Sequence, residues 1–273
     1  MDEIDEDTRI RLHTGRTMPL IGLGTWGLTH STAALISHAL RLGYPMIDTS
    51  GDYETQPGIA EGIQKAAVAR ESFYLVTKVE ETDDGYEATK QNLAELELSY
   101  VDLVLIHRPP EEGVGEAIWR GLIRARREGL VKDIGVSNYS ETQIEALANM
   151  TGVMPVVNQI EWSPFGWSQS MLDFCESNSI VIQAYSPLTR GDRLYDSTLS
   201  TIAKRYGKSA AQVMIRWALQ LGVVPLPKAN QLPHLRENID VFDFELDEKD
   251  MEKLRLLNEQ YSAVSDRPLY EEQ

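Results

Sequence analysis

An eight-stranded (β/α)8 barrel of the TIM type, with an N-terminal β-hairpin and extra C-terminal helices, is the fold class this sequence predicts. Three observations predict it. Short apolar stretches alternate eight times with segments of helical period, without a break in composition. The apolar stretches are near-continuous, as strands become when helices cover both faces of a sheet. And 273 residues accommodate eight right-handed crossovers in a closed barrel better than in an open sheet.

The elements follow in chain order. "IRLHTGRTMPLIGLG" reads as a hairpin turning at Thr14-Gly15 and leading into a first buried strand. "STAALISHALRLG" is an amphipathic helix, with Ser31 as N-cap and Gly43 as its stop. Strand–helix pairs follow: "YPMIDTS" with "GIAEGIQKAAVA", "FYLVTKV" with "GYEATKQNLAELEL", and "VDLVLIH" with "GEAIWRGLIRARREG". Next come "VKDIGVSN" with "ETQIEALANM", and "MPVVNQIEW" with "SQSMLDFCESN". "IVIQAYSP" precedes a long helical stretch, Leu199 to Leu221, broken near Gly207. "GVVPLPK" is the eighth barrel strand, and the helices "LRENIDVF" and "EKDMEKLRLL" close the chain. The expectation is one barrel domain over residues 1–273, with residues 1–8 as a flexible acidic tail.

Composition narrows the function. The net charge is -16, from 42 acids against 26 bases, so no basic surface recommends nucleic acid as a partner. Only nine of those bases are lysine, a balance that fits a high-salt habitat or an ordinary acidic enzyme. The single cysteine, Cys175, excludes an internal disulfide and a Cys-rich metal site, and reads as a small buried residue. No motif indicates a metal. No run reaches membrane-spanning length and "MDEIDEDTR" has no apolar leader core. The expected protein is cytoplasmic, a monomer or weak dimer without nucleic-acid or membrane partners.

"GLGTWG", residues 22–27, matches the dinucleotide fingerprint G-x-G-x-x-G, with Asp48 at about the right distance. The context argues against it. The fingerprint's glycines open the helix directly, whereas Leu28, Thr29 and His30 precede this helix. Trp26 also sits where backbone must approach phosphate. An aromatic at the end of the first strand is better placed as a pocket wall.

Barrel chemistry sits where strands end. Here the strand ends read Asp48, Lys78, His107, Ser137 with Asn138, Gln159, Tyr185 and Lys228. One polar strand end is ordinarily a satisfied polar group; a full set on one face points to a shared pocket. Tyr53 lies five residues after Asp48. A nearby ammonium lowers a tyrosine's pKa, and a carboxylate keeps that ammonium charged. Asp48, Tyr53 and Lys78 would thus make a general acid, and His107 would orient the same substrate oxygen. That set suits protonation of a carbonyl oxygen. On these residues alone, Lys78 as a Schiff-base lysine of a barrel lyase stays open. The cluster Glu80, Glu81, Asp83 and Asp84 reads as a solvated loop.

"MIDTSGDYE", "LVTKV", "LVLIHRP", "IGVSNY", "NQIEWSPF", "AYSPL" and "PLPK…ENIDVFDFEL" together resemble the strand-end motifs of the aldo-keto reductases, in order from about residue 10 to 260. The resemblance implies an NAD(P)H-dependent carbonyl reductase on a barrel. It puts the catalytic tetrad on Asp48, Tyr53, Lys78 and His107, with Tyr53 as proton donor. It assigns Ser137, Asn138 and Gln159 to the nicotinamide carboxamide, and Tyr185 to stacking on the ring. Ser186, Leu188, Lys228, Ala229, Asn230, His234, Glu237 and Asn238 fall on the rest of the cofactor cleft. "GVSN" and "AYSP" are not explained by a lyase. A nucleotide-sensing or regulatory protein on the same fold has no reason to keep the proton donor.

The sequence departs from the family at both ends of the site. Ala229 and His234 stand where members commonly carry serine and arginine, so NADPH is expected through Lys228, with NADH also accepted. Arg108 stands where tryptophan is frequent, Asp52 where an apolar residue is common, and Glu54 where a small residue or amide is usual. With Trp26 and Trp162 as apolar walls, these changes favour small polar carbonyls: oxo-sugars, hydroxyaldehydes or dicarbonyls. Arg108 reads either as a receptor for a substrate carboxylate or as a rim arginine paired with a loop acid.

Overall fold

The computed structural model describes residues 4–28 and 31–271. Met1 to Glu3 of the acidic segment, and Thr29 and His30, lie outside the described residues. The hairpin is β1 (Arg9–Arg11) and β2 (Thr17–Pro19), antiparallel, turning where Gly15 adopts φ +87°. The barrel strands are β3 (Leu23–Gly24), β4 (Met46–Asp48), β5 (Tyr74–Val79), β6 (Val101–Ile106), β7 (Val131–Ser137), β8 (Val157–Glu161), β9 (Val181–Tyr185) and β10 (Val224–Pro225). They pair in parallel and in sequence order in one eight-stranded sheet. Two bonds close the barrel: the Gly22 and Gly24 amides donate to the Pro225 and Pro227 carbonyls. Glycine is required at that seam, because a Cβ on Gly24 would lie 2.8 Å from the Leu226 carbonyl oxygen. β3 and β10 are only two residues long, far shorter than "GVVPLPK" suggested, because close-approach glycines and prolines limit the ladder on both sides.

The helices are α1 (Thr32–Arg41), α2 (Gln56–Ala66), α3 (Gly85–Glu95), α4 (Glu116–Arg127), α5 (Glu141–Thr151), α6 (Gln169–Ser177), α7 (Ser197–Tyr206), α8 (Ala210–Gln220), α9 (Leu232–Ile239) and α10 (Glu248–Arg255). Their starts are written in short polar residues. Asp84 caps α3 by accepting from the Tyr86 and Glu87 amides, and Ser140–Gln143 and Ser209–Gln212 form capping boxes on α5 and α8. Gly207, at φ +66°, ends α7 and divides the long helical stretch in two. Ser31 precedes α1 but does not cap it through its hydroxyl; it sits in the left-handed region at φ 47°.

Two apolar shells hold the barrel. Met46, Tyr74, Val76, Leu103, Leu105, Val157, Val181, Val224 and Leu226 fill the interior, and Leu12 and Met18 of the hairpin seal its amino-terminal end. A larger shell between strands and helices includes Trp119, Ile134, Leu147 and Trp217. Ile4, from the acidic segment, packs against Leu20, Ile215 and Val241, and its carbonyl accepts from Arg216. With both shells full, the polar residues of the strands gather at the carboxyl-terminal end.

Candidate active site

Asp48 ends β4 and Lys78 lies one residue before the end of β5. Both are buried, at 4% and 1% exposure. Lys78 Nζ donates to Asp48 Oδ2 at 2.9 Å, to Oδ1 at 3.1 Å and to the Thr49 carbonyl at 2.8 Å. Burial alone would push Lys78 down, but Asp48 and then Tyr53 outweigh it, so its pKa stands above the ordinary lysine value. An ammonium held this way is not the free amine that a Schiff base needs.

Tyr53 ends a short 3-10 turn, Gly51–Tyr53, directly after the β4 strand end. Lys78 Nζ lies 5.0 Å from the centre of its ring, and the His107 ring meets it edge-on at 5.7 Å. The four predicted residues therefore come together. One expectation is corrected. The Tyr53 pKa is raised rather than lowered, because burial, assisted by Asp48 and Asp52, outweighs the pull of Lys78. Tyr53 is therefore a phenol at neutral pH, with its proton in place.

His107 follows β6 and is 8% exposed. Its Nδ1 lies 2.6 Å from Glu80 Oε1 and 3.6 Å from Asp52 Oδ1. Glu80, read from sequence as part of a solvated loop, is instead the partner of the imidazole. Asp52, Glu80 and His107 also have metal-compatible spacing, but Nδ1 and Glu80 already engage each other in a hydrogen bond.

Ser137, Asn138 and Gln159 are buried side by side at the ends of β7 and β8. Ser137 Oγ donates to the Gln159 carbonyl, and Asn138, at φ 63°, donates to the His107 carbonyl and to Ser137 Oγ. Gln159 Nε2 donates to Asp48 Oδ1 and Gln183 Oε1. Tyr185 Oη donates to Asn138 Oδ1 at 2.8 Å, which ties the aromatic of β9 to this amide row. Ser186, at φ 47°, and Leu188 continue the rim, half-buried.

Trp26, 50% exposed, stands over the next stretch of rim. Arg190 lies 4.4 Å and Lys228 Nζ 5.6 Å from its ring centre. Lys228 also donates to the Gly27 carbonyl. Burial and then the charge of Arg190 push the Lys228 pKa down. Two neighbouring cations with no carboxylate ion-pair partner among the described residues suit an anionic group. Ala229 is buried, Asn230 and His234 are exposed, and Glu237 is half-buried. Asn238 on α9 is 2% exposed, and its Nδ2 has no hydrogen bond among the described residues. The amide row with Tyr185, and the cation pair Lys228 and Arg190, are groups of the kind that could hold a dinucleotide.

Arg108 is half exposed, with Nε 4.0 Å from Glu81 Oε2. Trp162 is not a wall. It is fully buried in the outer shell, 6.1 Å from the Trp167 ring. Sequence reasoning missed two further features. Arg190 lies in a left-handed turn after β9, and only the basic residue in "SPLTRGD" could have signalled it. Glu161, paired in register with Tyr185, accepts from Ser262 Oγ and the Ala263 amide, so the segment after α10 lies against this side of the mouth.

A closed parallel barrel with an acid–base cluster and a dinucleotide-compatible cleft at its carboxyl-terminal mouth defines the class: a nicotinamide-dependent oxidoreductase. Comparison with known proteins gives the family. Residues 20–259 match the model of the aldo/keto reductase family. The chain is 38% identical over 255 residues to a glyoxal reductase of Bacillus subtilis, covering 91% of this chain and 92% of that one. It is 35% identical over 248 residues to the methylglyoxal reductase DkgA of Yersinia pestis, covering 89% and 90%. A crystal structure of a Bombyx mori aldo-keto reductase in complex with NADP superposes with a TM-score of 0.90 at 30% identity, covering 98% and 99%. The chain belongs to the aldo/keto reductase family and is an NAD(P)H-dependent oxidoreductase.

Proposed function

We propose that this enzyme reduces small polar aldehydes and ketones to alcohols, with NADPH preferred and NADH also accepted. Oxo-sugars, hydroxyaldehydes and dicarbonyls are the substrate class. Tyr53 donates the proton to the carbonyl oxygen, and His107 orients that oxygen. Lys78, charged and fixed by Asp48, stabilises the phenolate left behind. The nicotinamide, when bound, supplies the hydride. Tyr185, Asn138, Ser137 and Gln159 place its ring, Lys228 and Arg190 hold its phosphates, and Asn230, His234, Glu237 and Asn238 line the adenosine end. Trp26 walls the substrate side, with Asp52 and Arg108 on the polar rim.

The observation that carries this reading is the convergence of a neutral phenol, a buried ammonium–carboxylate pair and an imidazole at one strand-end cluster. The reductase names of the relatives support the substrate class. The chain is read as a single-domain cytoplasmic monomer or weak dimer. A substrate panel followed by nicotinamide absorbance tests the proposal: glyoxal-type dicarbonyls and hydroxyaldehydes should give the highest kcat/KM. Best activity on a steroid or long aliphatic ketone would contradict it.

A further inference from the structure

The segment that follows α10 is fixed along the rim like a bar. The Glu259 and Tyr261 amides both donate to the Phe165 carbonyl at 3.0 Å, and Asn258 Nδ2 donates to the Trp167 carbonyl. Glu161, at the end of β8, accepts from Ser262 Oγ and from the Ala263 amide. The crossing is close: a Cβ on Gly166 would lie 2.0 Å from the Tyr261 carbonyl oxygen, so only glycine fits there. The loop after β9 leans on this bar through two side chains. Arg193 Nη2 meets Glu259 Oε1 at 2.6 Å, and its guanidinium stacks on Tyr261, 4.3 Å from the ring centre. Tyr261 Oη donates to Asp192 Oδ2 at 2.8 Å. The bar has its own bonds to β8 and the loop after it, so the bar holds the β9 loop rather than the reverse.

The same loop carries Arg190. Thr189 and Arg190 both sit in the left-handed region, at φ 50° and 52°. That backbone is disfavoured for a residue with a Cβ and persists only where its surroundings hold it. Local bonds close the turn: the Arg193 amide donates to Thr189 Oγ1, and the Gly191 and Asp192 amides donate to the Leu188 and Thr189 carbonyls. The turn aims the Arg190 guanidinium at Trp26, 4.4 Å from the centre of the ring that Lys228 also approaches. Arg190 makes no hydrogen bond or ion pair among the described residues. We infer that Glu259 and Tyr261 are positioning residues for the nicotinamide cofactor: through Arg193 and Asp192 they hold the strained turn that presents Arg190 beside Lys228. The inference rests on the proposed role of Arg190 in holding the cofactor's phosphates. The Arg193–Glu259 pair is partly exposed and weak by itself, but the stack and the phenol bond act on the same turn. Freeing that turn lowers the fraction of protein with Arg190 in place. The apparent dissociation constant rises by the inverse of that fraction.

Titration with NADPH in the absence of substrate, read by nicotinamide fluorescence, tests the inference in four proteins. They are wild type, the double variant Glu259→Gln with Tyr261→Phe, the single variant Arg190→Ala, and all three substitutions together. The double variant keeps the aromatic ring and every backbone bond of the bar. Its dissociation constant for NADPH should rise about fivefold, the value expected when about a fifth of the protein keeps the turn. Steady-state kinetics should place the loss on the KM for NADPH and not on kcat. In the Arg190→Ala background the same two substitutions should change the dissociation constant by less than about twofold, because the turn then has no cation to present. An unchanged dissociation constant in the double variant would overturn the inference, as would an equal loss with and without Arg190. An Arg190→Ala variant that binds NADPH as wild type does would instead overturn the phosphate role of Arg190, and the inference with it.

Discussion

At the amino-terminal end of the barrel, Asp102 of β6 accepts from Arg70, from Lys132 and from the Leu75 amide. At the carboxyl-terminal end, Asp48 of β4 accepts from Lys78 and Gln159. Both are buried carboxylates held by cationic and amide donors. What lies beyond each differs. Around Asp102 the cations lie against the protein's own aromatics: Arg70 stacks on Phe73 and Tyr100, and Lys132 covers Tyr100. Around Asp48 the pair faces a phenol and an imidazole whose Nε2 is open. The same chemistry is structural where the protein supplies every partner, and available for reaction where one partner is left to the substrate.

Single substitutions should separate the two ends. The largest effect is expected at the mouth. Tyr53→Phe removes the proposed proton donor and should lower kcat by about 10³-fold, roughly 4 kcal/mol of transition-state stabilisation, with cofactor binding and melting temperature nearly unchanged. Stopped-flow turnover and quenching of nicotinamide fluorescence read the two properties separately. Normal turnover in that variant would remove Tyr53 from the mechanism. The converse is expected at the other end. Asp102→Ala strands Arg70 and the Leu75 amide in a mostly buried site. It should destabilise the fold by about 3 kcal/mol in urea unfolding, with kcat per folded molecule unchanged.

The comparison also explains what the sequence made legible. Strand ends are readable because an apolar run breaks off at a polar residue, and Asp48, Lys78, His107, Asn138 and Gln159 all announce themselves that way. Glu80 does not. It follows Val79 within an acidic loop, and only the fold brings it to His107, 27 positions away. The raised Tyr53 pKa was hidden for a related reason. A spacing rule reveals the neighbouring ammonium but not how much water the barrel excludes. Trp162 looked like a wall because the residue before it ends a strand; its own side points outward into the shell beneath the helices.

A smaller effect is expected on the cofactor side. Lys228→Ala removes one of the two cations beside Trp26. The KM for NADPH should rise about tenfold and that for NADH by much less, since an ammonium facing a phosphate dianion contributes on the order of 1.4 kcal/mol. Equal changes for the two cofactors would place Lys228 on the shared pyrophosphate or on neither.

The smallest effect probes the amino-terminal end. Asp133 of β7 is 1% exposed; Arg16 reaches Oδ1 at 3.4 Å, and Oδ2 has no hydrogen bond. Burial pushes its carboxyl above the ordinary range, ahead of the opposing pulls of Thr14 and Arg16. The folded state therefore binds this proton more tightly than the unfolded chain. Asp133 contributes stability that is fully present below the unfolded carboxyl's pKa and is lost as pH rises through the folded one. Asparagine keeps the shape without the charge. Asp133→Asn should leave stability at pH 7 unchanged or raise it by less than about 1 kcal/mol, since the half-exposed Arg16 gives little in return for the buried charge. The advantage should disappear in acid, below the carboxylate range, where the wild-type carboxyl is protonated. Urea unfolding at pH 7 and in acid measures this. A loss above 1 kcal/mol at pH 7 would make Asp133 a satisfied ion-pair partner like Asp102, and the unpaired Oδ2 would then have to find a donor in solution.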